Sequence, residues 1–220
     1  MAGTDRPPTR APRLDFRAPR VDDADATVLV ARSERIGERF SDTDLGGYDL
    51  TGSTFDECEF ESLSFSETQL RGSRFIGSLL TAPFAPVLLA TRTVWRDVRI
   101  EVPRWGSAEL FESGFTSVHI HGGKIDYLNL RGATLTDVLF EDCAITDLDL
   151  SGVKATRVAL KNCHIGTLDL TRATSRDVDL RSSEFAAVTG LEGLAGATID
   201  DHQLSLFAPL LAAQLGINVE

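Results

Sequence analysis

From Phe40 onward a large apolar side chain returns at every fifth position: Phe40, Leu45, Leu50, Phe55, Phe60, Phe65, Leu70, Phe75 and Leu80. The phase resumes at Trp95 and runs through Ile100, Trp105, Leu110, Phe115, Ile120, Ile125, Leu130, Leu135, Phe140, Ile145 and Leu150. After the small Ala155 it continues through Leu160, Ile165 and Leu170, skips Ser175, and ends at Leu180 and Phe185. No straight element has this period. A strand alternates faces every residue, so an odd spacing throws successive large residues to opposite sides. On a helix, five residues advance about 500°, a drift of about 140° per repeat. Only a chain that bends once per repeat keeps these side chains on one side.

Two residues before each large residue stands a second apolar or small one, for example Val138, Cys143, Leu148, Val153, Val158, Cys163 and Leu168. Positions two apart on a strand share a face. Both therefore point inward and the residue between them points out. A longer period overlies the short one: Leu128, Leu148, Leu168 and Val188 lie 20 apart, as do Val118, Val138, Val158 and Val178. Four repeats close one turn, and successive turns stack at about 4.8 Å. The expectation is an all-β quadrilateral solenoid, with Leu130, Leu135, Phe140, Ile145, Leu150, Leu160, Ile165 and Leu170 in its core. In a solenoid each turn contacts only its neighbours, and the open ends need caps.

The segments Leu128-Asn129-Leu130-Arg131-Gly132, Ala133-Thr134-Leu135-Thr136-Asp137 and Leu148-Asp149-Leu150-Ser151-Gly152 resemble the pentapeptide-repeat family, and the resemblance covers roughly residues 40–190. It implies a right-handed direction for the quadrilateral β-helix. It also implies that two chains commonly join end to end through the C-terminal region. Some members of this family are acidic rods that bind DNA gyrase in place of DNA.

The segments outside the regular repeat are read as follows. Residues 1–25, with Pro7, Pro8, Pro12 and Pro19 and little apolar content, are expected to be a disordered tail. Residues 26–190 are expected to form the coil, with Thr27–Val30 as a strand that caps the first turn. Residues 81–92 lack large residues at Ala85 and Ala90 and carry Pro83 and Pro86, which disfavour ladder pairing; an irregular turn is expected rather than a projecting loop. GLEGLAG (190–196) reads as a linker. Residues 191–220 are expected to be helical, with Asp200 as N-cap and Gln203 three residues on, and with Pro209 opening a second helix. Leu204, Phe207, Leu211 and Leu215 share one face and either cover the open end of the coil or pair with a second chain.

The formal net charge of -11 argues against direct nucleic-acid binding and leaves a partner with a basic surface as the natural counterpart. The charge is uneven. Residues 40–80 hold two arginines against Asp42, Asp44, Asp49, Asp56, Glu57, Glu59, Glu61 and Glu67, a net of -6, and these eight are the candidate acidic binding face. Two turns span about 10 Å, over which duplex DNA carries about 6 charges, so this segment alone reaches DNA-like density. Over the expected seven turns, about 34 Å, DNA carries about 20 charges, well above that of the chain.

No apolar run is long enough for a membrane helix, and the N-terminal residues lack the apolar centre of a signal peptide. Three cysteines without a CxxC pair suggest a reducing, cytoplasmic setting, and Cys58, Cys143 and Cys163 read as small core fillers. His119 and His121 straddle the inward Ile120, one turn from Glu101 and Glu141; the ladder is read as solvated rather than as a metal site. Trp95 and Trp105 read as wide core residues. No nucleotide, zinc-protease or serine-hydrolase motif occurs, and no cofactor is called for. The outward column Asp49, Gln69, Glu109, Asn129, Asp149, Asp169 reads as a line of solvated acceptors, while Asp137, Arg157 and Asp177, and likewise Glu141 and Lys161, stack opposite charges. The functional expectation is a non-catalytic scaffold or protein-interaction module; the alternative is an acidic DNA mimic directed at gyrase.

Overall fold

The structure, a computed structural model, describes residues 8–218. The chain winds as a parallel-strand solenoid. One ladder stacks ten strands from Asp22–Asp23, through Glu38–Ser41, to Thr174–Asp179 and Ala197–Thr198. A second ladder stacks six, from Phe84–Leu89 to Glu184–Thr189. Register advances by 20 residues per turn, as in Arg104↔Lys124 and Val118↔Val138. Ten stacked strands make nine steps, so the rod is about 43 Å long rather than 34 Å. The difference comes from both ends, which the apolar period does not mark.

The interior consists of stacked columns. Leu130, Leu135, Phe140, Ile145, Leu150, Leu160, Ile165 and Leu170 are all buried. Aromatic rings stack turn on turn: Phe55 on Phe75 at 5.2 Å, Phe75 on Trp95 at 4.2 Å, and Trp95 on Phe115 at 6.0 Å between centroids. Each such side chain contributes about 1.5–3 kcal/mol on burial, and stacked pairs add to that. Where the inward position is small, a hydroxyl or thiol serves. Ser73 Oγ donates to Leu50 O at 2.7 Å, and Thr68 Oγ1 to Leu45 O at 2.8 Å. The thiols of Cys143 and Cys163 make the same reach, to Ile120 O and Phe140 O, both at 3.5 Å. Burial pushes the Cys58 thiol up to about 11, and the hydrogen bond with the neighbouring Cys163, with burial second, raises that of Cys143.

Residues 81–92 neither project nor lose regularity. Phe84–Leu89 is a strand in register with Arg104–Glu109. Pro83 is tolerated because the N–H at its position in a turn is not spent on the ladder; the equivalent Cys163 and Ser183 amides go to Ser183 Oγ and Leu180 O. Pro86 falls at the corner between the paired residues Ala85 and Val87. Ala85 and Ala90 still point inward and are fully buried. One turn beyond Pro103, a Cβ on Gly123 would lie 2.3 Å from Pro103 O, so only glycine fits there.

Both ends differ from the sequence reading. The expected strand at Thr27–Val30 is instead a 3-10 turn, Ala26–Val28, because the Asp25 carboxylate caps the Thr27 amide at 2.8 Å. Ala26 and Leu29 are buried and plug the first turn. At the other end, residues 190–196 are not a linker. The 3-10 turn Leu191–Leu194 folds against the coil, Gly193 O accepts from Ser175 Oγ at 2.9 Å, and Ala197–Thr198 completes the last rung. The gap in the apolar period at Ser175 is the space this turn occupies. A single helix, α1 (Asp201–Gln214), follows, and Pro209 lies within it. The carbonyl it leaves without an intrahelical partner belongs to Ser205, which is exposed and open to solvent, and the helix is not divided.

Candidate interaction surfaces

The eight acidic residues at the start of the coil do not share a face. Asp56 and Glu59 lie on the two sides that meet at the Glu57 corner, while Asp44 and Asp49 lie on the other two, bridging to Ser64 and Gln69. Asp42 and Glu67 occupy further corners, in left-handed backbone with φ 47° and 58°. Glu61 is exposed one residue past the inward Phe60. Several are already engaged: Asp44 accepts from the Gly46 amide and Asp49 from the Thr51 amide, each at 2.9 Å, and Glu59 pairs with Arg39 at 3.1 Å. The eight form a ring of charge around the first turns. Five-residue sides scatter any contiguous acidic run around the rod.

Farther along, outward polar groups pair from turn to turn. Arg157 grips Asp137 with two bonds of 2.6 Å, and this holds the Asp137 carboxyl below its usual range. Lys161 reaches Glu141 at 2.5 Å, and Asn129 donates to Glu109 at 2.7 Å. Asp149 is not a solvated acceptor: it is 7% exposed and receives the Ser151 amide at 2.9 Å, the Ser151 hydroxyl at 2.6 Å and the Arg131 guanidinium at 2.8 Å. His119 faces Glu141 at 3.1 Å, and His121 faces Asp142 at 3.4 Å. Burial and the nearby Arg99 hold the His119 imidazole below 6.5 despite Glu141. Among the described residues no three metal-binding side chains converge. None of the described helices is long and apolar enough to cross a membrane.

In the C-terminal stripe, Phe207 is buried and Leu211 half-buried, but Leu204 and Leu215 are exposed, at 49% and 75%. The contact with the coil is made by Phe207, which packs on Phe185, and by Gln203. The Gln203 amide donates to Leu180 O at 2.6 Å and Ser183 O at 2.7 Å, closing carbonyls at the open edge. Leu206, Leu210 and Ile217 join Leu204 and Leu215 as exposed apolar side chains.

The sequence reading missed one surface entirely. Residues 8–21, expected to be disordered together with Asp22–Asp25, run extended along the outside of the coil; Met1–Pro7 lie outside the described residues. Thr9 bonds Thr198 on the last rung through their hydroxyls. Arg10 meets Asp177 at 2.7 Å, the Arg13 amide reaches Asp137 at 2.9 Å, and the Asp15 amide reaches Ser117 Oγ at 2.8 Å. Arg17 and Arg20 share one open cleft with Asp56, Glu57 and Asp97. The strap then enters the first rung, where the Asp22 amide bonds Gly37 O at 2.9 Å. It is held by outward groups of one corner, and sequence reasoning assigned that corner to solvent. The sequence did carry a signal, since Arg-Ala-Pro-Arg occurs at 10–13 and again at 17–20.

A four-sided parallel coil with paired outward columns is the architecture of a repeat solenoid. The family model for pentapeptide repeats matches residues 39–77 in eight copies, and the same four-repeat turn continues in the structure to residue 189. The chain carries pentapeptide repeats and has the pentapeptide-repeat fold. No curated protein matches it. Among solved structures it is similar to a trypsin-treated form of QnrB1, a plasmid-mediated fluoroquinolone resistance protein. That alignment has 18% identity, covers 90% of this chain and 96% of that one, and gives a TM-score of 0.43. It is also similar to HetL, a pentapeptide repeat protein involved in heterocyst differentiation regulation from the cyanobacterium Nostoc sp., at 16% identity over 78% of this chain and 91% of that one, with a TM-score of 0.39.

Proposed function

We propose that this chain is a non-catalytic scaffold whose sides bind other proteins. The observation that supports this reading is the rung-to-rung pairing of outward polar groups, such as Arg157 with Asp137 and Lys161 with Glu141. Catalysis requires titratable groups converging in a pocket that shifts their pKa values. Here they are laid out in lines along a rod and neutralise one another. The exposed apolar side chains that flank the buried side of α1, Leu204 on one flank and Leu206 and Leu210 on the other, with Leu215 just past its end, fit a second copy in a two-fold, end-to-end dimer. Light scattering at micromolar concentration should give twice the 23.9 kDa chain mass, and a monomer would rule the dimer out. Deleting residues 199–220 should abolish the dimer or cause aggregation.

The second reading, a DNA mimic acting on gyrase, draws on the net -6 of residues 40–80. Against it stand the ring-like spread of those charges and the strap, whose residues 8–21 add four arginines against one aspartate along the same rod. Over nine steps, about 43 Å, DNA carries about 25 charges, more than twice the net charge of this chain. A supercoiling assay separates the two readings. A scaffold directed elsewhere leaves gyrase activity unchanged at micromolar protein, and inhibition relieved by added DNA would establish the mimic.

A further inference from the structure

The strap and the corner beneath it have matching periods. Asp177, Asp137, Asp97 and Glu57 stand on one corner of the coil, 40 residues and therefore two turns apart. Two turns span about 9.6 Å. On the strap, Arg10, Arg13, Arg17 and Arg20 are separated by three, four and three residues. In polyproline II conformation, which Pro12 and Pro19 favour, three residues span about 9.3 Å. From Asp177 to Glu57 is six turns, about 29 Å, and the ten residues from Arg10 to Arg20 span about 31 Å in that conformation. An arginine of the strap therefore comes level with an acidic corner residue at every second turn. The intervening positions, Arg157, Ser117 and Gly77, do not interrupt the match: Arg157 turns back onto Asp137, and Ser117 accepts a strap amide.

The corner also reads the main chain of its occupant. Asp177, Asp137 and Ser117 accept the amides of Arg10, Arg13 and Asp15 at 3.4, 2.9 and 2.8 Å. Beyond the Arg10–Asp177 ion pair, Pro12 and Leu14 share a shallow cleft with Leu139 and Ala159. Regular acceptors, charge at a fixed repeat and a shallow apolar cleft form a linear recognition groove. The occupant is held loosely. Residues 10–21 contribute no strand to either ladder, most of them are exposed, and exposed ion pairs contribute little to holding a segment in place. The strap can lift off as far as Asp22 without breaking a rung.

We propose that this corner is a binding groove for an extended, proline-containing basic polypeptide with arginines three or four residues apart, and that the N-terminal strap is its resident occupant, displaced when a partner segment binds. The proposal deepens the scaffold reading by naming a surface and a partner chemistry. Its failure leaves the gyrase and light-scattering results unaffected.

The test uses the full chain and a fluorescein-labelled peptide with the sequence PTRAPRLDFRAPRV. In the variant carrying Arg10→Ala, Arg13→Ala, Arg17→Ala and Arg20→Ala, the resident strap is weakened. The peptide should bind this variant at least tenfold more tightly than the unaltered protein, and affinity should fall as salt rises. Adding Asp137→Asn and Asp177→Asn should abolish the binding while circular dichroism still reports a folded coil. A peptide of the same composition with its four arginines contiguous should bind at least tenfold more weakly; equal binding would show charge attraction without register and overturn the proposal. No binding to the folded arginine variant would also overturn it. In the unaltered chain, the amides of Arg13 and Asp15 should exchange with deuterium at least a hundredfold faster than those of Val138 and Val158. Equal protection would mean a fixed structural element and count against displacement.

Discussion

Asp149 and Asp147 are two residues apart and chemically identical, yet the fold gives them different weights. Asp147 is exposed, whereas Asp149 gathers the Ser151 amide, the Ser151 hydroxyl and the Arg131 guanidinium. Replacing Asp149 by Ala strands these donors and should cost about 1–2 kcal/mol in urea denaturation, while Asp147→Ala should stay within about 0.5 kcal/mol. Equal midpoints for the two variants would contradict the assigned network. His119 makes a pH-dependent contribution. Its imidazole is held below its ordinary value of 6.5 by burial first and Arg99 second, with Glu141 opposing. The unfolded chain therefore binds its proton more readily than the folded one. The contribution is fully present above the unfolded value and is lost as pH falls through 6.5 toward the folded value. The Asp137 carboxyl, held below 3.8, acts the same way at lower pH, its contribution fading as pH falls below 3.8. His119→Gln should therefore flatten the stability profile between pH 7 and 5 and leave the acid limb in place, as followed by thermal melts across that range.

The elements at the two ends solve one problem differently. A parallel coil exposes unpaired carbonyls and an apolar interior at each end. At the start, the 3-10 turn at Ala26–Val28 inserts Ala26 and Leu29. At the finish, α1 uses Asp200 and Gln203 as a reciprocal capping box, then spends the Gln203 amide on two carbonyls of the coil and inserts Phe207. Gln203→Ala leaves Leu180 O and Ser183 O without that donor. It should cost about 1–3 kcal/mol and speed amide exchange in Thr174–Asp179 and Glu184–Thr189. Unchanged exchange there would mean that Phe207 alone holds the end.

For the molecule as a whole, contacts between neighbouring turns make stability nearly one-dimensional. Cys58 lies near one end and Cys143 and Cys163 toward the other, and all three are buried and unpaired, which makes them reporters of local opening. None should react quickly with a bulky thiol reagent in the native protein. In Gln203→Ala, labelling of Cys163 should accelerate several-fold while that of Cys58 stays unchanged. Parallel acceleration at both would indicate a single all-or-none unit. The strap offers a route to such coupling, because it bonds the last rung at Thr198 and the first at Gly37. Salt that releases it should decouple the two ends.

The five-residue period and its fourfold superperiod were sufficient to place the inward columns, the register of 20 and the core from Leu130 to Leu170, because burial is a local property of each repeat. The capping box at Asp200 and Gln203 was legible for the same reason. Tertiary structure decided what depends on neighbours a turn or more away. It draws 18 non-glycine residues among those described into left-handed corners, which no local preference of Arg92 or Val102 requests. It brings residues 81–92 into register, because the ladder does not use the Pro83 amide position. It scatters the eight acidic residues around four sides and buries Asp149, which the alternation alone placed in water. It also lays residues 8–21 against a corner where Asp177, Asp137 and Ser117 stand more than a hundred positions away in sequence, so the repeated Arg-Ala-Pro-Arg of the tail does not by itself say where it docks.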